Sequence, residues 1–246
     1  MHLVRSLPSQ LSCGRPQHGG VDLTVLVIGG GLVAVIAANR FLAHGHSTML
    51  ITAYAEFGFP HGGCGLWNLV NEPWPLDTFE EAVGQEASGV VACRSQWLVK
   101  RLVHRFAEAG GQVTCRARFD SDPEPLLRGT GAMPLPALDH VVLADQDVPE
   151  PDIHQDITQV LFEPSSTVDW HGRILAPHHD LPSTIEASGR RGDGTVEAWS
   201  QHPELLQPLA EQSIEHLQVT WNADDGLPSA DLVAARSRAA VDAFLG

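Results

Sequence analysis

Positive charge is scarce in this sequence of 246 residues, which has 15 lysines and arginines against 30 aspartates and glutamates. The formal net charge of −15 argues against direct nucleic-acid binding, because no basic stripe is present to neutralise phosphates. Long apolar runs are missing too, since none approaches the roughly 20 residues that a membrane-spanning helix needs. We therefore expect neither nucleic acid nor a membrane among the partners of this chain.

Cysteine is also scarce, and its spacing excludes the common cysteine-based sites. Cys13, Cys64, Cys93 and Cys115 form no C-x-x-C pair and no zinc-binding pattern. A reduced, cytoplasmic setting is the default for such a chain. The G-x-S-x-G, Walker and H-E-x-x-H motifs are absent as well. Residues 1–21 lack the continuous apolar core of a signal peptide and predict a flexible N-terminal extension.

What the sequence does contain is a βαβ pattern near its start. With 43% apolar and only 18% charged residues, the composition is typical of a folded globular protein. Val25–Ile28 is an unbroken apolar run, which is typical of a parallel strand buried on both faces. Val35–Ala43 is compatible with a helix, and Ser47–Ile51 supplies a second strand. The predicted fold class is therefore α/β with a parallel sheet.

The turn between the first strand and the helix has the spacing of a dinucleotide-binding motif. Gly29, Gly31 and Ala34 stand as G-x-G-x-x-A, with Gly30 between the first two. In such a motif the glycines permit a tight turn and a close approach of the backbone to a pyrophosphate, and the third small residue permits close helix–strand packing. The phosphates would lie at the helix N-terminus. The alternative is a glycine-rich turn that binds no nucleotide.

One position departs from this motif. A dinucleotide site usually has an acid at the end of the second strand, roughly 20 residues on, which binds ribose hydroxyls. Here that position is Thr52, and the nearest acid is Glu56. Thr52 is the expected ribose contact. No Arg or Lys lies between Ser47 and Trp74, so a pocket for a 2′-phosphate is not indicated there.

The remaining elements alternate between strands and helices. Ser95 opens an amphipathic helix that Gly110 ends, and a strand follows at residues 113–119. Asp120–Ala137 is rich in proline and glycine and predicts a surface excursion. The further predicted elements are strands at His140–Ala144 and Thr184–Ser188, an antiparallel pair formed by Ile157–Phe162 and Val168–Leu175, and helices at Leu205–Leu217 and Ser229–Leu245.

A second glycine-rich segment follows a strand further along the chain. Ile185–Gly189 ends in A-S-G and leads through Arg190 and Arg191 into Gly192-Asp193-Gly194, with helix-like residues 195–199 beyond. Together with the first glycine turn and the segment Phe59–Gly65, this pattern resembles the FAD-dependent oxidoreductases with two dinucleotide-binding domains. The resemblance covers roughly residues 22–200 and implies a Rossmann-like FAD/NAD(P)-binding fold with a small antiparallel β insertion.

The resemblance implies roles for residues in both segments. Asp193 would bind a ribityl or ribose hydroxyl, and the glycines around it, Gly189, Gly192 and Gly194, would let FAD approach. The alternative for Asp193 is an exposed turn residue, because Asp-Gly is a common turn pair. Gly63 would run beside the isoalloxazine ring.

Two residues of the Phe59–Gly65 segment are candidate catalytic groups. His61 is positioned to act as an acid or base near a flavin, although a loop histidine is more often only hydrogen-bonded or solvated. Cys64 stands where a redox-active thiol sometimes faces flavin, but no second cysteine is nearby and a buried, inert thiol is the main alternative. His178 and His179 are adjacent in an extended segment and do not suggest a metal site.

The resemblance implies an FAD-dependent oxidoreductase, or the FAD-binding subunit of one, which oxidises a small organic substrate by hydride transfer. Expected partners are that substrate and either a catalytic partner subunit or another copy of this chain. The predicted domains are residues 22–200, with a β-rich insertion at about 120–180, and a helical segment at 201–246. One alternative is an enzyme similar to thiamine thiazole synthases, which use NAD as a substrate and would employ Cys115 and His178. The other is a degenerate, non-catalytic flavoprotein-like scaffold.

Overall fold

The computed structural model describes residues 22–59, 64–68, 90–120, 126–129, 133–144, 157–159, 166–177, 179–191, 193–223 and 229–246. In chain order the described strands are β1 (Thr24–Ile28), β2 (Ser47–Ile51), β3 (Cys64–Asn68), β4 (Val90–Arg94), β5 (Gln112–Thr114), β6 (Arg118–Asp120), β7 (Leu126–Arg128), β8 (Met133–Pro134), β9 (His140–Leu143), β10 (Ile157–Gln159), β11 (Ser166–Leu175), β12 (Ala187–Arg190), β13 (Val196–Ser200) and β14 (Ser213–Ala223). The helices are α1 (Leu32–Ala43), α2 (Ser95–Glu108) and α3 (Ser229–Leu245), and a 3₁₀ helix spans Pro203–Gln212.

A parallel sheet of five strands, in the order β10-β9-β1-β2-β5, forms the centre of the fold. Its two faces are covered differently. Val25 and Val27 of β1 pack into a core that α1, α2 and α3 complete. Leu26 and Ile28 point to the other face and pack with Phe119 of the small antiparallel sheet β6-β7-β8. This arrangement confirms the predicted α/β class, with its parallel sheet and a small antiparallel insertion.

A second, six-stranded sheet has the order β14-β11-β13-β12-β4-β3. Its pairs are antiparallel except for β12 and β4, which are parallel. The 3₁₀ helix covers part of one face, where Leu206 and Leu209 pack on Leu175, Val196 and Ala198. The opposite side of β13 carries Glu197 and Trp199, both fully buried.

Two strands pair differently from the sequence prediction. The antiparallel pair of Ile157–Phe162 with Val168–Leu175 is wrong, because β10 pairs in parallel with β9 whereas β11 pairs with β13 and β14. Within the described residues, β10 and β11 have the extended conformation that their apolar residues predict. Its partner is far away in sequence and could not be predicted from the local pattern.

The helix predicted at Leu205–Leu217 is also wrong over its second half. A 3₁₀ helix ends at Gln212, and Ser213 begins β14, which pairs along β11. Pro208 lies inside the 3₁₀ segment and has no backbone N–H to donate, which disfavours a regular α-helix there. Residues 201–246 therefore contribute a strand to the six-stranded sheet as well as helices. The described residues include no helix that combines the length and the apolar character needed to cross a membrane.

The helices α1 and α3 contact each other near their C-terminal ends. Arg40 donates to Asp242 through Nε at 2.7 Å and through Nη2 at 2.9 Å. The rings of Phe41 and Phe244 meet edge to face, with centroids 5.8 Å apart. The Arg40 hydrogen bond lowers the pKa of the Asp242 carboxyl below its usual value.

A histidine near this helix pair predicts that acid destabilises the fold. The half-buried His46 accepts a hydrogen bond from the Leu23 N–H at Nδ1, at 3.4 Å. Burial, and then the neighbouring His44, lower the pKa of His46; His140 acts in the same direction, and Asp22 opposes it.

Because the folded state prefers neutral His46, its contribution to stability is present above the unfolded pKa of about 6.5 and is lost as pH falls from there through the lower folded pKa. We expect the melting temperature to decrease between pH 8 and pH 5.5, and His46→Gln to show a smaller decrease. Thermal melts at closely spaced pH values check this. Identical pH profiles for the two proteins would contradict the assignment to His46.

Candidate functional site

The candidate site lies at the carboxyl end of β1, where the chain turns into α1. The Gly29 N–H donates to the Ile51 carbonyl at 2.9 Å, which keeps the turn against the end of β2. Gly31 is the N-cap residue of α1, and its carbonyl accepts from the Val35 N–H at 3.2 Å. Gly31 has no side chain with which to cap this helix, and the first turn has no acidic residue. The first N–H groups of a helix have no intrahelical acceptor, so this end favours an anion.

Close packing around the turn explains two of its small residues. A Cβ at Gly30 would stand 2.7 Å from Oγ1 of Thr52, so glycine is needed where the turn passes the end of β2. Ala34 is fully buried in the core between α1 and the sheet. This is the close helix–strand packing that the third small residue of the motif predicts.

Thr52 lies beside the turn, as its position in the motif predicts, but its hydroxyl is already engaged. Its side chain is buried, with 1% of the residue exposed, and Oγ1 accepts from the Tyr54 N–H at 3.3 Å. Glu56, the nearest acid in sequence, pairs with Lys100 of α2 at 3.0 Å. The described part of this corner therefore offers no uncommitted carboxylate to a ribose.

The loop after β2 connects the glycine turn to the start of α2. The Gly58 N–H donates to the Gly30 carbonyl at 2.7 Å. Gly58 has a φ of +84°, and a Cβ there would stand 2.7 Å from Cα of Gln96. Only glycine fits this conformation and this contact. The first turn of α2 is thereby brought against the same corner of the domain.

The second glycine-rich segment is the turn of a hairpin in the other sheet. β12 and β13 pair antiparallel, with Gly189 opposite Glu197. The helix predicted at residues 195–199 is wrong, since β13 begins at Val196. The Arg191 N–H donates to the Thr195 carbonyl at 2.9 Å, and the Gly194 N–H to the Arg191 carbonyl at 2.8 Å. A two-strand hairpin, rather than a strand-to-helix crossover, therefore encloses this turn.

Asp193 has the environment of a turn residue. Its exposed carboxylate accepts from Thr195 twice, from the N–H at 2.9 Å and from the hydroxyl at 2.6 Å. These two hydrogen bonds lower the pKa of Asp193 below its usual value. Asp193 thus has the hydrogen bonds of a turn residue. The predicted FAD contacts at Gly189, Asp193 and Gly194 lie in the β12–β13 hairpin of the six-stranded sheet, whereas β1 belongs to the parallel sheet, and their role in binding FAD stays a prediction.

Arg191 pairs within the protein rather than extending toward a ligand. Its guanidinium contacts Oε1 of the buried Glu197, from Nη2 at 2.6 Å and from Nε at 2.7 Å. The other carboxylate oxygen, Oε2, accepts from Nε1 of Trp199 at 2.9 Å. The guanidinium also lies over the ring of Trp97, 5.3 Å from its centroid. Arg191 therefore satisfies a local acid, Glu197.

The predicted catalytic residues are only partly within the described chain. His61, Gly63, Gly192 and His178 lie outside the described residues. Cys64 is the first residue of β3 and pairs with Arg94 of β4. The roles of His61 and Cys64 stay predictions.

Away from the glycine turn, neither Cys115 nor any group of acidic side chains forms a reactive or metal-binding site within the described residues. Burial raises the pKa of the Cys115 thiol, which disfavours its thiolate at neutral pH. Among the residues that the structure describes, no group of three or more His, Cys, Asp or Glu side chains is arranged to hold a metal ion.

Sequence reasoning missed the contact between α3 and α1; the helix α3 itself is predicted, but its partner is not. It also missed Arg116, which follows β5 and lies beside the end of β2, because the two strands pair. The only local signal for Arg116 is its place just after a strand that could neighbour β2.

No protein-family model matches this chain, and no curated protein sequence matches it. Solved structures do match. A geranylgeranyl bacteriochlorophyll reductase-like protein from Thermoplasma acidophilum is 13% identical, with a TM-score of 0.52 over 91% of this chain and 78% of that one. The flavin-dependent brominase Bmp2 is 11% identical, with a TM-score of 0.52 over 92% and 79%. CtdE in complex with FAD is 12% identical, with a TM-score of 0.47 over 85% and 74%.

The first two of these structures, at such low identity, show a shared fold. The chain has the Rossmann-like FAD/NAD(P)-binding fold, with its parallel sheet and its antiparallel additions.

Proposed function

We propose that this chain binds FAD at the Gly29–Gly31 turn and acts as a flavin-dependent oxidoreductase, or as the FAD-binding subunit of one. The observation that carries the proposal is the position of the α1 N-terminus, which begins at Gly31 and follows directly from a glycine turn at the carboxyl end of the central parallel strand. Ligands of open α/β sheets bind at this edge, and a diphosphate suits the helix terminus. The shared fold with a flavin-dependent brominase makes FAD the preferred nucleotide.

The residues at the turn fit a diphosphate. The backbone N–H groups at the start of α1 are donors, and Gly30 keeps the turn free of a side chain beside Thr52. A bound flavin would supply the hydride-accepting chemistry, while the protein supplies position and electrostatics. A small organic substrate is the proposed reductant. Whether a second subunit completes the site is tested by the turnover of the purified chain alone.

The first experiment is a spectrum of the purified protein. We expect flavin absorption bands, or their appearance after incubation with FAD and removal of the excess, and release of FAD on denaturation. A protein that neither retains FAD nor quenches its fluorescence on titration would refute the proposal.

Val33 provides a sharper test, because it lies in the first turn of α1. It is partly buried against the core, so Val33→Asp and Val33→Asn lose the same packing and differ in charge. The aspartate would place a negative charge beside the two phosphates. We expect Val33→Asp to bind FAD about tenfold more weakly than Val33→Asn, with the difference shrinking at high salt. Fluorescence titrations at two ionic strengths measure this.

Protein stability provides the control for that comparison. Without nucleotide, Val33→Asp should melt no lower than Val33→Asn, because an acid stabilises a helix N-terminus by about 0.3–1 kcal/mol. Weaker FAD binding in a protein that is equally stable can then be assigned to charge. Equal FAD affinity in the two variants would contradict a diphosphate at this helix end.

A further inference from the structure

An exposed arginine lies at the corner where β2 and β5 end. The Thr52 N–H donates to the Thr114 carbonyl at 3.0 Å, and the Thr52 carbonyl accepts from the Ala117 N–H at 2.9 Å. Between these contacts the Arg116 N–H donates to the Tyr54 carbonyl at 2.8 Å. Arg116 is therefore fixed beside the position where a dinucleotide site usually has its acid.

The backbone of Arg116 is held in a conformation that side chains disfavour. Its φ of 55° is the one positive value among the described residues other than glycine. A left-handed conformation crowds Cβ of an L-residue, and glycine or asparagine would fit better. Gly129 packs directly on this residue, since a Cβ there would stand 2.2 Å from the Arg116 carbonyl oxygen. The surrounding backbone thus maintains the strained conformation, a pattern that is common at functional sites.

Near Thr52, the described side chains offer a ligand a hydrogen-bond donor rather than an acceptor. The Thr52 hydroxyl is buried, and Glu56 is paired with Lys100. Within the described ranges no carboxylate forms an ion pair with Arg116, whose side chain is exposed. Next to it, Tyr54 and Phe59 meet edge to face at 6.1 Å, and Phe59 is 52% exposed. An exposed arginine whose backbone bonds to Tyr54, the first member of this aromatic pair, supplies side chains that suit the ribose and the ring of an adenosine.

We propose that Arg116 anchors the adenosine end of the bound nucleotide, in place of the usual carboxylate; this rests on the nucleotide site of the proposed function. A carboxylate accepts hydrogen bonds from ribose hydroxyls and repels a phosphate at the 2′ position. A guanidinium donates to the ribose oxygens and attracts that phosphate. The site therefore binds FAD through its ribose oxygens and prefers a 2′-phosphorylated adenosine over a plain one.

The experiment compares 5′-AMP with adenosine 2′,5′-bisphosphate, which differ only in the 2′-phosphate. We expect the wild-type protein to bind the bisphosphate about tenfold more tightly in calorimetric or displacement titrations, as one added charge-assisted contact predicts. Arg116→Asn removes the charge and suits the left-handed backbone. It should abolish the preference, weaken FAD binding about fivefold and leave the melting temperature unchanged or higher.

Arg118→Asn is the matched control, because Arg118 is also exposed and lies two residues further on β6. It should retain the preference. The proposal is overturned if the wild-type protein binds the two probes equally, if Arg116→Asn keeps the preference, or if Arg118→Asn loses as much.

Failure of this proposal and failure of the proposed function are distinguishable. If FAD binds and Arg116→Asn changes nothing, the role of Arg116 is refuted while FAD binding stands. If the bisphosphate binds through Arg116 but FAD does not, the flavin function is refuted and the role of Arg116 is supported. A protein that binds none of these nucleotides refutes both.

Discussion

Replacing Glu197 with alanine is expected to lower the free energy of unfolding by about 3 to 5 kcal/mol. The Glu197 side chain is fully buried, with Arg191 on one carboxylate oxygen and the indole N–H of Trp199 on the other. Its removal leaves a partly buried guanidinium without its counter-charge and a buried indole N–H without an acceptor. Chemical denaturation measures the loss.

Two further variants separate charge from hydrogen bonding at Glu197. Glu197→Gln keeps a side-chain oxygen and should lose less stability than Glu197→Ala. Arg191→Ala combined with Glu197→Ala should cost less than the sum of the two single changes, because the pair is coupled. Strict additivity, or a loss below about 1 kcal/mol for Glu197→Ala, would show that the pair contributes little to the fold.

Gly172→Ala is expected to destabilise the six-stranded sheet by about 2 to 3 kcal/mol, because it overpacks a buried site. Gly172 of β11 lies directly opposite Trp199 of β13. A Cβ at Gly172 would stand 2.8, 2.9 and 3.0 Å from three atoms of the Trp199 ring. The ring is fully buried and cannot move without disturbing its bond to Glu197.

Gly45→Ala is the control for this second change. Gly45 has a φ of +89°, and a Cβ there would have no other atom within 4 Å, so alanine meets backbone strain and no clash. Its cost should be about 1–2 kcal/mol. Thermal or chemical denaturation of both variants compares the stability lost to the clash in Gly172→Ala with that lost to backbone strain in Gly45→Ala. A Gly172→Ala protein that is as stable as wild type would mean that the Trp199 ring has room to shift.

The elements that the sequence predicts correctly depend on local patterns. Val25–Ile28 forms a strand that is buried on both faces, as its continuous apolar run predicts. This prediction does not require knowing which residues pack against the strand. Ser229–Leu245 forms the terminal helix with the predicted bounds. The glycine turn at Gly29–Gly31 lies between strand and helix as its spacing requires. In each case the sequence signal that predicts the element lies within one short segment.

The segment around Asp193 shows where such local patterns stop being informative. Gly-Asp-Gly indicates a tight turn, and the structure has one, but the same local signal serves a hairpin and a strand-to-helix turn equally well. What distinguishes them is the partner strand of β12, and strand pairing is determined by packing between distant segments. The FAD contact predicted at this second turn stays a prediction, and the proposed nucleotide site rests on the first glycine turn.

Periodicity and glycine spacing act within some thirty residues, and they were enough to specify the strand–turn–helix–strand unit at Thr24–Ile51. Folding of the whole chain was needed to establish that α3 runs alongside α1, that Arg191 meets Glu197, and that Arg116 lies next to Thr52. These contacts join segments that are distant in the chain or pack from different elements. Their formation depends on which faces and edges bury the most surface together, and that information is distributed over the whole sequence.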